Sequence, residues 1–98
     1  MWIHSLRQPG KVSPAEARSL SSSCVRLAPG ERIGEHRTGW REELLFVLEG
    51  AATLLVGGAA TLVPPGHVAY VPPETVHDVE NRSSVPLQYV YVTARVPN

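Results

Sequence analysis

Two histidines and a glutamate interrupt otherwise apolar stretches of this chain: His36, Glu43 and His77. Two neutral imidazoles and a carboxylate suffice to hold a divalent ion such as Fe, Mn, Ni or Zn. Three protein donors leave coordination positions open for water, oxygen or a substrate, so an ion held this way could polarise a carbonyl, activate water or bind oxygen. A lone histidine at a strand end is more often a hydrogen-bonded surface or turn residue. Each candidate therefore gains weight only from the other two. Glu43 has an adjacent rival in Glu42, which any strand would turn to the opposite face.

Other groups read more plainly. His4 lies near the terminus and reads as structural or exposed, and His67, just after Gly66, as a strand residue. Cys24 is the lone cysteine, so no disulfide can form within the chain, and its strand-like surroundings suit a small half-buried side chain. Trp40 and Arg41 fall in a loop beside His36, as a rim or as residues that close over a ligand. Tyr70, Tyr89 and Tyr91 read as core or interface residues.

The elements that must position these groups are strands. Nine Pro and eight Gly punctuate the 98 residues, with Val, Thr, Tyr and Leu between them. Strands are expected over 2–6, 20–27, 32–38, 42–48, 51–56, 59–63, 67–71, 76–81 and 87–96, with a two-residue hairpin turn at Gly57-Gly58. The one helix-start signal, Ser13-Pro14-Ala15-Glu16, supports a turn or two at most. Short, evenly spaced strands point to an all-β sandwich, barrel or jelly roll in one domain spanning residues 1–98. Alternation puts Glu43, Leu45 and Val47 on one face and His77 and Val79 on another. It does not say which faces meet.

A resemblance supplies the convergence. Gly30, His36, Glu43 and Gly50 occur at the spacing of the first cupin motif, over residues 30–50. Gly66, Pro72, His77 and Asn81 fit the second, over 66–81, and fifteen residues separate Gly50 from Gly66. The chain thus resembles a small cupin, which implies a double-stranded β-helix, or jelly-roll barrel, with His36, Glu43 and His77 pointing inward onto a metal. The spacing to Gly50 selects Glu43 over Glu42. Two positions depart from the pattern: Thr38 stands where the family has a second histidine, and Glu74 where it has a glycine.

The resemblance implies metal-dependent chemistry on a small molecule, of dioxygenase, isomerase or decarboxylase type. A barrel that only binds a small ligand, or a metal-free structural cupin, stays open beside it. Nine basic and nine acidic residues cancel, and no basic run points to nucleic acid or anionic membrane. No apolar run approaches the length of a membrane span, and the first residues lack the pattern of a secretory leader, so a cytoplasmic protein is expected. Leu87–Val92 is apolar on both faces and must be covered on both. A second copy of the chain, in a homodimer, or the N-terminal strand could supply the outer cover.

Overall fold

The computed structural model describes residues 1–97, and these form nine strands in two antiparallel sheets with no helix. They are β1 (Gly10–Lys11), β2 (Leu20–Leu27), β3 (His36–Arg37), β4 (Arg41–Glu49), β5 (Ala52–Val56), β6 (Ala59–Val63), β7 (Val68–Val71), β8 (Val76–Glu80) and β9 (Leu87–Arg95). One sheet has the order β1-β2-β9-β4-β7 and the other β3-β8-β5-β6. The all-β jelly roll expected from the sequence is present, and Gly57-Gly58 turns between β5 and β6 with both φ angles positive, at 57° and 82°.

The inward faces obey the two-residue period of a strand. On β4, Glu43, Leu45 and Val47 are buried while Leu44, Phe46 and Leu48 face out. Antiparallel to it, β9 turns Leu87 and Tyr89 into the same core. With Leu27, Ala52, Leu54, Val63, Val71 and Val79, these side chains fill one end of the space between the sheets. Burying a side chain of this size stabilises the fold by roughly 1.5–3 kcal/mol. At the other end the apolar residues give way to Arg41, Glu43, His77 and Thr93, and the space stays open.

The closed end is tied by backbone geometry. Asn81 is buried and donates through Nδ2 to the carbonyls of Leu27 and Val85, at 3.0 and 2.8 Å. Gly50 ends β4 at φ 70°, packed directly against the Pro86 carbonyl.

Three expectations are corrected. Residues 2–6 form no strand. Both edges of β9 are already taken, by β2 and β4, so the N-terminal segment lies across the outer face instead, where the Leu6 carbonyl accepts from Gln88 and Cys24. The strand expected over 32–38 shortens to His36–Arg37, because the Gly34 amide donates to the side-chain carboxylate of Asp78 at 2.9 Å rather than to a backbone carbonyl of β8. Cys24 is fully buried, packed with Val12 and Val90. That cluster, with Val92 against it, is the outer cover of the C-terminal strand, and it comes from this same chain.

The glycine missing from the second motif leaves a mark. Glu74 is the one non-glycine residue with positive φ, at 53°, among those described. A left-handed residue with a side chain costs about 1–2 kcal/mol, and the exposed ion pair that Glu74 makes with Arg37 at 2.9 Å returns about 0.2–1 kcal/mol. Glu74→Gly is therefore expected to raise stability by about 0.5 kcal/mol once the extra freedom of glycine in the unfolded chain is subtracted. Urea denaturation measures it; a loss of stability would mean that the ion pair outweighs the backbone strain.

Candidate metal centre

Three strands deliver the three candidate ligands. His36 and His77 face each other across β3 and β8 as a register pair, with ring centroids 4.1 Å apart. Glu43 comes from β4 in the opposite sheet. One donor atom from each of the three lies within 4.8 Å of the others. His77 is 1% exposed and Glu43 7%, whereas His36 lies at the open mouth. The rival Glu42 points away and accepts a hydrogen bond from the Tyr70 hydroxyl at 2.9 Å. His4 and His67 are exposed and outside the cluster.

The hydrogen bonds set the tautomers. His36 Nδ1 lies 2.9 Å from the Gly34 carbonyl, and His77 Nδ1 lies 3.1 Å from that of Thr75. A carbonyl can only accept, so Nδ1 carries the proton in both rings, and in the neutral form each Nε2 keeps its lone pair free. The free Nε2 of His77 is buried and has no hydrogen-bond partner; the Glu43 carboxylate is 3.6 Å away. An orphaned buried acceptor carries a desolvation cost of about 1–3 kcal/mol. A cation between these atoms would remove that cost. Ligands about 2.1 Å from a common ion lie roughly 3–4 Å from one another, so the His77–Glu43 separation fits and a small inward swing of the exposed His36 ring completes the set.

Thr38, at the position of the family's extra histidine, has other work. Its hydroxyl donates to the Pro72 carbonyl at 2.8 Å and accepts from the Thr75 amide at 2.9 Å. It thus pins the turn that leads into β8 and fixes where His77 begins. This long-range pairing leaves no local signature by which the sequence could show it.

His36 and Glu43 line a cavity of about 520 Å³ whose apolar walls are Val25, Ile33, Val79, Tyr89 and Tyr91. Burial raises the Tyr89 phenol well above its ordinary range, which keeps it a neutral wall. Arg41 also lines this cavity, half-buried and at the start of β4 rather than in a loop, while Trp40 is exposed and does not line it.

The neighbouring Glu43 carboxylate raises the His77 pKa above 6.5, outweighing the opposing effect of burial. Without an ion, this pairing stabilises the fold below pH 6.5, and the contribution is lost as pH rises through the raised folded value. Metal binding runs the other way, since the proton must leave first. On acidification, metal affinity is expected to fall about tenfold per pH unit, starting above pH 6.5. Thermal melts with and without Zn(II) from about pH 5.5 to 8.5 check both signs; parallel curves would contradict the competition.

No helix among the described residues is long and apolar enough to cross a membrane. No curated protein is similar enough in sequence to count as a relative. Among solved structures, the chain is similar to the protein TT1209 from Thermus thermophilus, with 26% identity and a TM-score of 0.84 over 99% of this chain and 100% of that one. A cupin 2 conserved barrel domain protein from Salinispora arenicola is similar at 25% identity, with a TM-score of 0.81, over 96% and 88% of the two chains. A sugar phosphate isomerase of the cupin superfamily from Silicibacter pomeroyi is similar at 26% identity, with a TM-score of 0.71; the match covers 84% of this chain and 54% of that one. The family model described as a cupin domain matches residues 23–93, which contain both motifs, all three candidate ligands and eight of the nine strands in whole or in part, so the chain belongs to the cupin domain family.

Proposed function

We propose that this cupin binds one divalent metal ion through His36, Glu43 and His77, and that it uses the ion on a small molecule held in the adjoining cavity. The observation that carries the reading is the buried, unpartnered Nε2 of His77 aimed at a buried carboxylate. When bound, the ion supplies a Lewis acid for polarising a substrate oxygen or lowering the pKa of water. The protein's own part is to hold both imidazoles in one tautomer, to keep the floor of the site dry, and to leave the mouth open beside His36. Dioxygenation, isomerisation and decarboxylation all fit a centre with open positions; the similarity to a cupin sugar phosphate isomerase supports small-molecule chemistry in general. Elemental analysis of untagged protein tests the proposal. About one Fe, Mn, Ni or Zn per chain supports it, and metal-free protein that takes up none on dialysis against each ion refutes it.

The proposed assembly is a homodimer, through a surface other than Leu87–Val92. Tyr89 and Tyr91 face the interior, so the apolar area left bare is on β4 and β7. Leu44, Phe46 and Leu48 are 41%, 37% and 42% exposed, and Val68 and Tyr70 stand opposite Phe46 and Leu44. A contiguous apolar sheet face of this kind is an association surface. Sedimentation is expected to show a dimer that Phe46→Glu with Val68→Glu converts to a 10.6 kDa monomer. Wild-type protein that is monomeric at every concentration would refute it.

A further inference from the structure

We propose that Arg41 is a carboxylate anchor, and that the occupant of the cavity is a small organic acid with an apolar body. The proposal rests on the reading that this cavity is the ligand site. Arg41 and Glu43 lie two residues apart on the inward face of β4, roughly 7 Å between Cα atoms at the rise of a strand. Thr93 of β9 is the register partner of Glu43, and its hydroxyl takes one hydrogen bond from Arg41 Nη1 at 3.3 Å. The guanidinium is thus held on the cavity wall beside the metal ligands with most of its five donors unspent.

Its charge is also unspent. Elsewhere Arg32 meets Asp78 at 3.0 Å, Arg37 meets Glu74 at 2.9 Å and Arg82 meets Glu80 at 2.7 Å. Among the described residues Arg41 has no carboxylate within 4.0 Å. The nearest one on the same face of its strand, Glu43, is turned to His77, and the adjacent Glu42 faces out to Tyr70. Of the two arginines lining the cavity, Arg37 is paired with Glu74, whereas Arg41 has no carboxylate partner among the described residues. A half-buried arginine fork matches a planar carboxylate through two parallel hydrogen bonds. Val25, Ile33, Val79 and Tyr91 of the lining offer apolar surface for the body of an aliphatic or aromatic acid.

Calorimetric titration of the intact chain tests this, with benzoate and isovalerate each compared with its amide, in wild type, Arg41→Gln, Arg41→Lys and Arg37→Gln. Metal content is measured on the same samples. Each acid is expected to bind at least about tenfold more tightly than its amide. Arg41→Gln should remove that preference without changing amide affinity or metal content, and Arg41→Lys should restore only part of it. Arg37→Gln, with the same change in net charge, should stay within about twofold of wild type. The acid–amide comparison in wild type needs no variant to fold. Equal binding of acids and amides, equal losses in the Arg37 and Arg41 variants, or tighter binding of phenyl phosphate than of benzoate would overturn the proposal. Metal-free protein that still prefers acids through Arg41 keeps the anchor and removes the metal reading; metal-loaded protein without that preference does the reverse.

Discussion

His77→Leu is expected to abolish stoichiometric metal while leaving the apo protein folded. Loss of a group that merely orients a metal ligand costs about 10–100-fold in affinity, so removing a direct donor should cost at least about 100-fold. The apo fold should change little. Leucine fits a site bordered by Val79 and the β4 core, and the orphaned Nε2 disappears with its cost of about 1–3 kcal/mol. Against that, Glu43 loses the imidazole 3.6 Å away and stays buried. These effects oppose each other, and apo stability should lie within about 1 kcal/mol of wild type. Saturating Zn(II) separates the proteins: at about 100 times the dissociation constant a bound ion adds about 2.7 kcal/mol to wild type and nothing to the variant. Thermal melts of both proteins with and without metal check this, and an equal rise in the two would mean that the ion binds elsewhere.

Gly50→Ala is expected to have the largest effect on folding. Gly50 has a φ of 70°, a region that costs a side chain about 1–2 kcal/mol. An added Cβ would fall on the Pro86 carbonyl oxygen, with Leu87 Cα close behind. Those are backbone atoms at the start of a central strand and cannot rotate away. Overpacking of this kind costs a further 1–3 kcal/mol or so, which brings the total to about 3 kcal/mol. A chain of this size has roughly 5–15 kcal/mol to lose, and its melting temperature should fall by about 12–24 °C. Gly58→Ala is the control, because its Cβ would meet nothing within 4 Å. Equal losses in the two variants would show that backbone conformation alone accounts for the effect.

The sequence made the strands legible wherever alternation and turn residues agreed. Leu20–Leu27 and Ala59–Val63 are observed with the bounds their patterns suggest. Parity along β4 turned Glu43 to one face and Glu42 to the other, as a pleated strand requires. Pattern failed where the partner decides the outcome. Residues 2–6 are apolar enough for a strand, but no sheet edge is free for them beside β9. Gly10–Lys11 carries no strand signal and pairs only because β2 presents an edge. At the site, the juxtaposition of His36 and His77 depends on a two-residue ladder between segments about forty residues apart, which only the spacing of the motifs could suggest. The role of Thr38 was not legible, because its partners at Pro72 and Thr75 are contributed from far along the chain. For Arg41 the sequence offers a rim or a closing residue; that it opens β4 and lines the cavity with no carboxylate partner among the described residues follows only from the structure.

β3 joins its sheet through only two register pairs, yet it carries a proposed ligand, and the other two come from β8 in its own sheet and from β4 in the opposite sheet. Its amides should therefore exchange with solvent through local fraying, far faster than those of β4 and β9, whose opening requires global unfolding. An ion bridging the sheets would convert that fraying segment into part of the slow-exchanging unit. The protection factor of the Thr38 amide, which donates to the Thr75 carbonyl at 3.1 Å, would then read site occupancy directly, with no substrate needed.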